Sequence, residues 1–422
     1  MGSKDVDRLS NMPDEVLSEI LSLMPTKLAV RTSILSKRWR YNWTLVTSID
    51  IDVLPFHGVE NCCAFVDRVL DLCKSTEIKL FRLRFSNLWV QESRMTKWIN
   101  EALRRKVSEF EIQCGLLELP ISFYTCKTLT KLRVENECQE VFMDWQTPFN
   151  LPCLKTLDIA LFSKPSLNAY KLIRGCPILE SLSLQFTYDP DEEEYIFSIP
   201  TLKRLTLVKK LKWGPCNKLV FIVPNLEELC LDSRWCLPFR MEELPSLVSE
   251  LSDAPLRKAV NIKHLELKSD LSLCWVSVFQ YLENCSQLEH LTIEKPGESE
   301  SESDWIEPHT VPTCMLMNLK TIKFESCMVE TDDIQFLEYM LGNAEVLKRI
   351  TITCKSGLME EELQLCARLL KCPRASKYCG INFVGKSFYS ATNKFVMTTM
   401  PIICSPIILW PFDLNGIQMN CY

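Results

Sequence analysis

The residues best equipped for chemistry stand together at 36–43, SKRWRYNW, where Lys37, Arg38 and Arg40 alternate with Trp39, Tyr41 and Trp43. Cations that neutralise phosphates beside rings that stack on bases are the apparatus of single-strand nucleic-acid binding. The spacing argues otherwise. On a helix Leu35, Trp39 and Trp43 recur every fourth residue and share one face, whereas the cations project elsewhere. The aromatics are therefore packing residues first, and the cations lie on the wet side. The 21 cysteines contain no Cys-x-x-Cys, and the four histidines, His57, His264, His290 and His309, are scattered between them. No metal site is expected, and the thiols read as free, mostly buried core filler. Nucleophilic catalysis needs an oriented base, and a phosphate cradle needs a glycine-rich loop. With 11 Gly and no GxSxG, GxGxxG or P-loop, the chain is expected to be no enzyme and to use no cofactor.

The elements that carry these residues begin with a short helical head. Pro13 suits a first helical position, Asp14 and Glu15 favour the positive end, and Val16, Leu17, Ile20, Leu21 and Met24 form a stripe that Pro25 stops. Thr26 reads as the N-cap of a second helix carrying Leu28, Ala29 and Val30, and Ser36 as a cap for a third. Three helices in about forty residues cannot bury that much apolar surface alone. The head either leans on the rest of the chain or waits for a partner.

Leu9, the pair Met12-Pro13 and the run DEVLSEILSLMPTKLAVRTSILSKRW resemble an F-box, the motif that binds the Skp-type adaptor of cullin-RING ubiquitin ligases. Two positions depart from the usual plant pattern: Met12 and Asn42 each stand where Leu is common. A polar amide in an apolar joint needs a hydrogen-bond partner. The resemblance implies adaptor binding through Leu9, Met12, Pro13, Val16, Ile20, Leu21, Leu28, Leu35, Trp39 and Trp43.

Behind the head runs a six-residue phrase, apolar-x-x-apolar-x-apolar, starting at Leu80, Val107, Leu129, Leu154, Leu179, Leu202, Leu226, Ile262, Leu288, Leu319 and Leu347. The intervals, from 22 to 36 residues, cluster in the leucine-rich-repeat range. Each phrase reads as a short strand whose last two apolar residues point inward while the polar ones face out. GCPILESLSL, residues 175–184, is similar to plant F-box leucine-rich repeats. The standard repeat places Asn or Cys just past the strand, and only Cys327 fits, so an irregular solenoid is expected.

From Trp305 the chain resembles the FBD module that follows such repeats, through Pro312, Cys314, Leu319-Lys320, Phe336-Leu337, Asn343-Ala344, Leu347-Lys348 and Pro373-Arg374-Ala375-Ser376. It reads as strand, helix, strand, helix, strand, with Phe336, Leu337, Met340 and Leu341 striping the first helix and Leu363, Cys366, Ala367 and Leu370 the second. Residues 396–412, VMTTMPIICSPIILWPF, are apolar but too short and too rich in proline for a membrane helix. The acidic runs at 189–195 and 298–304 read as solvated loops or as sites for a basic partner. The longest interval holds residues 234–248, either an exposed binding insertion around Trp235, Phe239 and Met241 or an ordinary convex helix.

The expected fold class is α/β: a short N-terminal three-helix F-box at 7–53, a curved leucine-rich-repeat solenoid at 75–304 with a parallel sheet and helices or loops on its convex side, an FBD module at 305–385 that caps the repeats, and an atypical tail at 386–422. By resemblance the chain is a substrate-recognition subunit of an SCF-type ubiquitin ligase. It would dock on the Skp-type adaptor, and through it on cullin and RING protein, while the repeats hold an unknown protein substrate. The candidate substrate contacts are Arg204, Thr206, Glu228, His264, Glu266, His290, Thr292, Lys323 and Arg349 on the concave sheet. The alternative is a repeat scaffold that no longer binds the adaptor; an enzyme and a nucleic-acid binder rank below it. With 48 Lys and Arg against 54 Asp and Glu, no global basic field invites nucleic acid. No membrane partner is expected. The opening MGSKDVDRLS has no apolar core for a secretory signal, so an intracellular site, nucleus and/or cytoplasm, is expected.

Overall fold

The computed structural model describes residues 12–85, 88, 90–114, 117–135, 141–142, 147–161, 165–186, 195–209, 219–233, 239–242, 261–268, 275–295, 305–327, 329–354 and 359–384. Leu9, the 386–422 tail, residues 189–194 and 298–304 of the acidic runs, and all of 234–248 except 239–242 lie outside them.

Thirteen parallel strands form one sheet in strict chain order: Ser48–Asp52, Leu80–Arg84, Glu109–Gln113, Lys131–Glu135, Thr156–Leu161, Ser181–Phe186, Arg204–Lys209, Glu228–Ser233, His264–Lys268, His290–Glu294, Thr321–Cys327, Arg349–Cys354 and Gly380–Val384. Sequential order with parallel pairing is what a stack of repeats must give, because each repeat contacts only its neighbours. Alternation fills the core: Phe110 and Ile112, Leu132 and Val134, Leu157 and Ile159, Leu182 and Leu184, Leu205 and Leu207 are all buried, while the residues between them face out. Six-residue phrase and strand coincide from Val107 onward. The first phrase is two residues out of step, since Leu80 pairs with Glu109 and the true equivalent of Val107 is Ile78. A two-residue slip leaves every side chain on its own face, so the alternation could not reveal it. One repeat earlier, Val46, Ile49 and Ile51 carry the same phrase and build the first strand, inside the stretch read as F-box.

The connections are irregular, as expected of repeats without the turn-bonding Asn. Helices Val59–Leu72, Glu92–Arg104, Pro165–Arg174, Trp275–Asn284, Thr331–Asn343 and Met359–Lys371 alternate with short strands. Tyr195–Ser198, Leu219–Ile222 and Phe239–Glu242 pair into a second parallel sheet, so residues 239–242 are strand and not convex helix. Their aromatic and β-branched content suits a pleated surface better than a helix. At Gly175 a Cβ would stand 2.6 Å from the Phe149 carbonyl oxygen, so only glycine lets these backbones meet.

A charged ladder runs along the edge just before the strands: Lys155, Glu180, Lys203, Glu227, Lys263, Glu289, Lys320. From Glu180 on, each donates its backbone N–H to the carbonyl of the residue before it in the series. Their side chains pair at 3.3 Å for Lys155–Glu180, 3.1 Å for Lys203–Glu180, 3.6 Å for Lys263–Glu227 and 2.5 Å for Lys320–Glu289.

The last helix corrects the expected stripe. Leu365 and Leu369 are buried with Glu362, whereas Leu363 is 52% exposed, Leu370 39%, and Ala367 also faces out. The helix has two apolar faces, and periodicity alone does not say which one meets the core.

Candidate functional site

Two surfaces offer themselves for binding, and the first is the head. Its helices are Asp14–Ser22, Thr26–Arg31 and Trp39–Asn42, joined by 3-10 turns at Thr32–Ile34 and Trp43–Leu45. Pro25, not Thr26, stands at the N-cap of the second helix. Thr26 serves a distant strand instead, for its buried hydroxyl accepts the Asp50 N–H at 2.8 Å and closes the outer edge of the first strand. Ser22 Oγ accepts the Thr47 N–H at 3.0 Å, Lys27 lies 3.9 Å over the Phe56 ring, and Leu17, Leu21, Ala29, Trp39, Trp43 and Val46 join the core of the repeats. The head leans on the solenoid and caps it.

That anchoring divides the expected adaptor residues. Leu21, Trp39 and Trp43 are buried inside the chain, Met12 and Ile20 are half-buried, and Pro13, Val16, Leu28 and Leu35 are exposed. Sequence reasoning passed over Leu23, Ile34 and Tyr41, which are 87%, 84% and 61% exposed. Their signal was available: each is a large apolar or aromatic residue off the stripe that the core uses. So many uncovered apolar side chains on so small a unit mark an interaction surface. Asn42 finds its partner within the head, its amide 3.5 Å from Asp14 Oδ1, and Arg38 pairs with the same carboxylate at 3.0 Å. Arg38 also donates to the Met12 carbonyl.

The second surface is the open face of the sheet, which the curvature of such repeats makes concave. The pairing register aligns Arg204, Glu228, His264, His290, Thr321 and Arg349 in one row, and Thr206, Cys230, Glu266, Thr292, Lys323 and Thr351 in the next. All nine expected substrate contacts therefore fall on two neighbouring rows. His264 and His290 stack with ring centroids 4.5 Å apart, and His290 Nδ1 lies 2.6 Å from Thr321 Oγ1. Burial, together with the neighbouring His264, holds the His290 imidazole below its ordinary value. Among the described residues Arg204, Glu228 and Arg349 have no ion pair. Lys323 is held by Glu325 at 2.5 Å and Glu266 by Lys268 at 3.1 Å.

At the other end of this face, Arg82, Arg84, Glu111, Gln113, Arg133 and Glu135 line a recess of about 290 Å³. Its charges are already spent on one another. Arg82 meets Glu111 at 2.6 Å and Asp50 at 3.2 Å, Lys131 meets Glu111 at 2.6 Å, and Arg133 meets Asp158 at 3.2 Å. Between the two charged ends lie the small side chains of Thr156, Ser181, Ser183 and Thr206. Among the described residues no three His, Cys, Asp or Glu side chains converge as a metal-binding set. Burial pushes the thiols of Cys62, Cys114, Cys176, Cys285 and Cys314 up to about 12, which makes them poor nucleophiles.

Three family models match in tandem: F-box domain over residues 9–47, the leucine-rich repeats of FBD-associated F-box protein At5g56370 over 95–248, and FBD over 307–352. F-box protein At4g09920 of Arabidopsis thaliana is 31% identical over 324 residues, covering 73% of this chain and 94% of that one. The chain belongs to the plant F-box, leucine-rich-repeat and FBD family. FBD-associated F-box protein At4g10400 of the same plant is 28% identical over 418 residues, 90% of this chain and all of that one. F-box/FBD/LRR-repeat protein At4g26340 is 28% identical over 417 residues, covering 88% and 98%. The F-box match ends one residue before the first strand, so F-box and repeats meet where Thr26 bonds that strand and Ser22 bonds Thr47 just before it. The FBD match spans the strand Thr321–Cys327, the helix Thr331–Asn343 and the strand Arg349–Cys354 as far as Ile352, with a core of Phe324, Phe336, Leu337, Ile350 and Ile352. Among the described residues no helix is long and apolar enough to cross a membrane.

Proposed function

We propose that this F-box protein is the substrate-recognition subunit of an SCF-type ubiquitin ligase, working in the nucleus and/or cytoplasm. The observation that carries the reading is an apolar head surface that stays uncovered although the head is bonded into the solenoid. Val16, Leu23, Leu28, Ile34, Leu35 and Tyr41 would meet the Skp-type adaptor, and the adaptor would bring cullin and RING protein. Trp39, Trp43 and Leu21 would hold that surface in shape from beneath. The open sheet face, with Arg204, Glu228, the His264–His290 stack and Arg349 available, would hold the target protein. The chain itself would do no chemistry. Its contribution is effective concentration, since a tethered target meets the charged conjugating enzyme in a quasi-intramolecular reaction.

The test is co-purification of the full chain with a plant Skp-type adaptor and cullin. A fragment of the head alone would cut the first strand from its neighbour and expose the core, so the whole chain is required. Recovery of the adaptor with the intact chain supports the reading; a folded chain that recovers none leaves a repeat scaffold outside the ligase.

A further inference from the structure

The strand Thr321–Cys327 breaks its own alternation where it ends. Ile322 and Phe324 pair with Ile350 and Ile352 of the next strand, but the following inward pair is Cys327 with Cys354, so the first strand carries one extra residue. Such a bulge re-aims the side chain that follows it. Alternation would turn Ser326 inward; instead Ser326 takes a left-handed φ of 57° and Cys327 is buried. Val329, two residues on, is left-handed as well, at 63°. A β-branched residue in that region is strained, and such strain persists where the surrounding structure fixes it. Between these two residues the Cys327 thiol sits in hydrogen-bonding contact with Cys354. Cys354 is the reachable partner, half-buried where Cys327 is fully buried. The bond from Cys327 holds the Cys354 thiol below its ordinary value, against burial and the buried Glu362 carboxylate, whereas burial raises the half-buried thiols of Cys366 and Cys372.

We infer that Cys354 and Cys327 form an oxidation site for hydroperoxides, in which Cys354 reacts first and Cys327 closes a disulfide. The Cys354 thiolate attacks one peroxide oxygen; the S–O bond forms as the O–O bond breaks, and the departing hydroxide takes the thiol proton and leaves as water. Cys327 then attacks the sulfenic sulfur: the S–S bond forms, the S–O bond breaks, and the Cys327 proton leaves with the hydroxide as a second water. Two thiols are oxidised by two electrons, and the peroxide is reduced to two waters. The backbone accepts the bond, because neighbouring strands lie about 4.8 Å apart and disulfide-linked Cα atoms about 4.4–6.8 Å. The cross-link ties the strands Thr321–Cys327 and Arg349–Cys354 around the helix Thr331–Asn343 that joins them. It is independent of adaptor binding, which the head carries.

Treatment of the reduced full chain with less than one equivalent of hydrogen peroxide tests it, with thiols then blocked by N-ethylmaleimide and the chain digested without reductant. Mass spectrometry is expected to find the Cys327–Cys354 peptide as the main cross-link, at least about tenfold above any other pair. In full-length Cys327→Ser, Cys354 is expected to stop at sulfenic acid and to take up dimedone at least about tenfold more than in the intact chain. Absence of the Cys327–Cys354 cross-link, or a main cross-link from Cys354 to Cys366, overturns the site. So does equal dimedone labelling of Cys354 in the two chains. If the variant does not fold, the cross-link map of the intact chain decides alone.

Discussion

Arg105 shows what a single residue does here that no local pattern announces. Its buried guanidinium donates to the carbonyls of Leu70 at 3.0 Å, Cys73 at 2.8 Å and Ser75 at 3.1 Å, and pairs with Glu101 at 2.6 Å. It therefore closes the C-terminal end of Val59–Leu72 with a charge of the favoured sign. Arg105→Met should cost about 3 kcal/mol, because three carbonyls lose their donor while Glu101 keeps only Arg104, and should show as a lower thermal midpoint. The edge ladder makes the contrast. Lys203 and Glu180 are 53% and 31% exposed, and Lys203→Ala should cost under about 1 kcal/mol in the same assay. Glu111 sets an acid dependence. Burial pushes its carboxyl up, but Arg82 and Lys131 outweigh burial and hold it down at about 2, against an ordinary 4.5. Its contribution is full above about pH 4.5 and is lost as pH falls toward 2, so Glu111→Gln should flatten the acid limb of the stability curve. His290 runs the other way: its neutral form is favoured in the fold. His264→Ala should raise its titration midpoint in an imidazole NMR titration, because one opposing neighbour is removed.

At the scale of elements, what could be read in advance was whatever repeats locally. Ten phrase starts from Val107 to Leu347 each stand two residues before a strand, in register, since two inward residues per strand recur at fixed spacing in the sequence. The strand Ser48–Asp52 was missed because the F-box pattern before it claimed the same residues, and the Leu80 start was out of step because alternation does not distinguish shifts of two. Thr26 looks like a cap from its neighbours, yet its hydroxyl serves a strand 24 residues away. Lys295, buried against Asp333 at 3.1 Å, is equally silent in sequence, for its partner lies 38 residues on. The nine open-face residues were legible by period two, but the His264–His290 stack depends on a neighbour that only folding supplies. Thr26→Val, isosteric but without an acceptor, should cost about 1–2 kcal/mol by orphaning the Asp50 N–H, again read as the thermal midpoint.

The described residues share a single continuous core whose two ends are finished differently. The F-box closes the sheet on its inner side and presents apolar side chains on its outer side, while the strand-and-helix alternation of the FBD match continues past its last matched residue, 352, to the far edge at Gly380–Val384. On the proposed reading such a body would hold adaptor and target at a fixed separation, which is what a receptor between them requires. On the outer side of the head the side chains are exposed and can be changed without touching the core. The most direct test is calorimetric titration of the full chain with a purified plant Skp-type adaptor, beside full-length Ile34→Asp/Leu35→Asp. Micromolar or tighter binding by the intact chain is expected, with a loss of at least about tenfold in the variant, some 1.4 kcal/mol, at an unchanged thermal midpoint. A folded intact chain that does not bind, or a variant that binds as well as the intact chain, would contradict it.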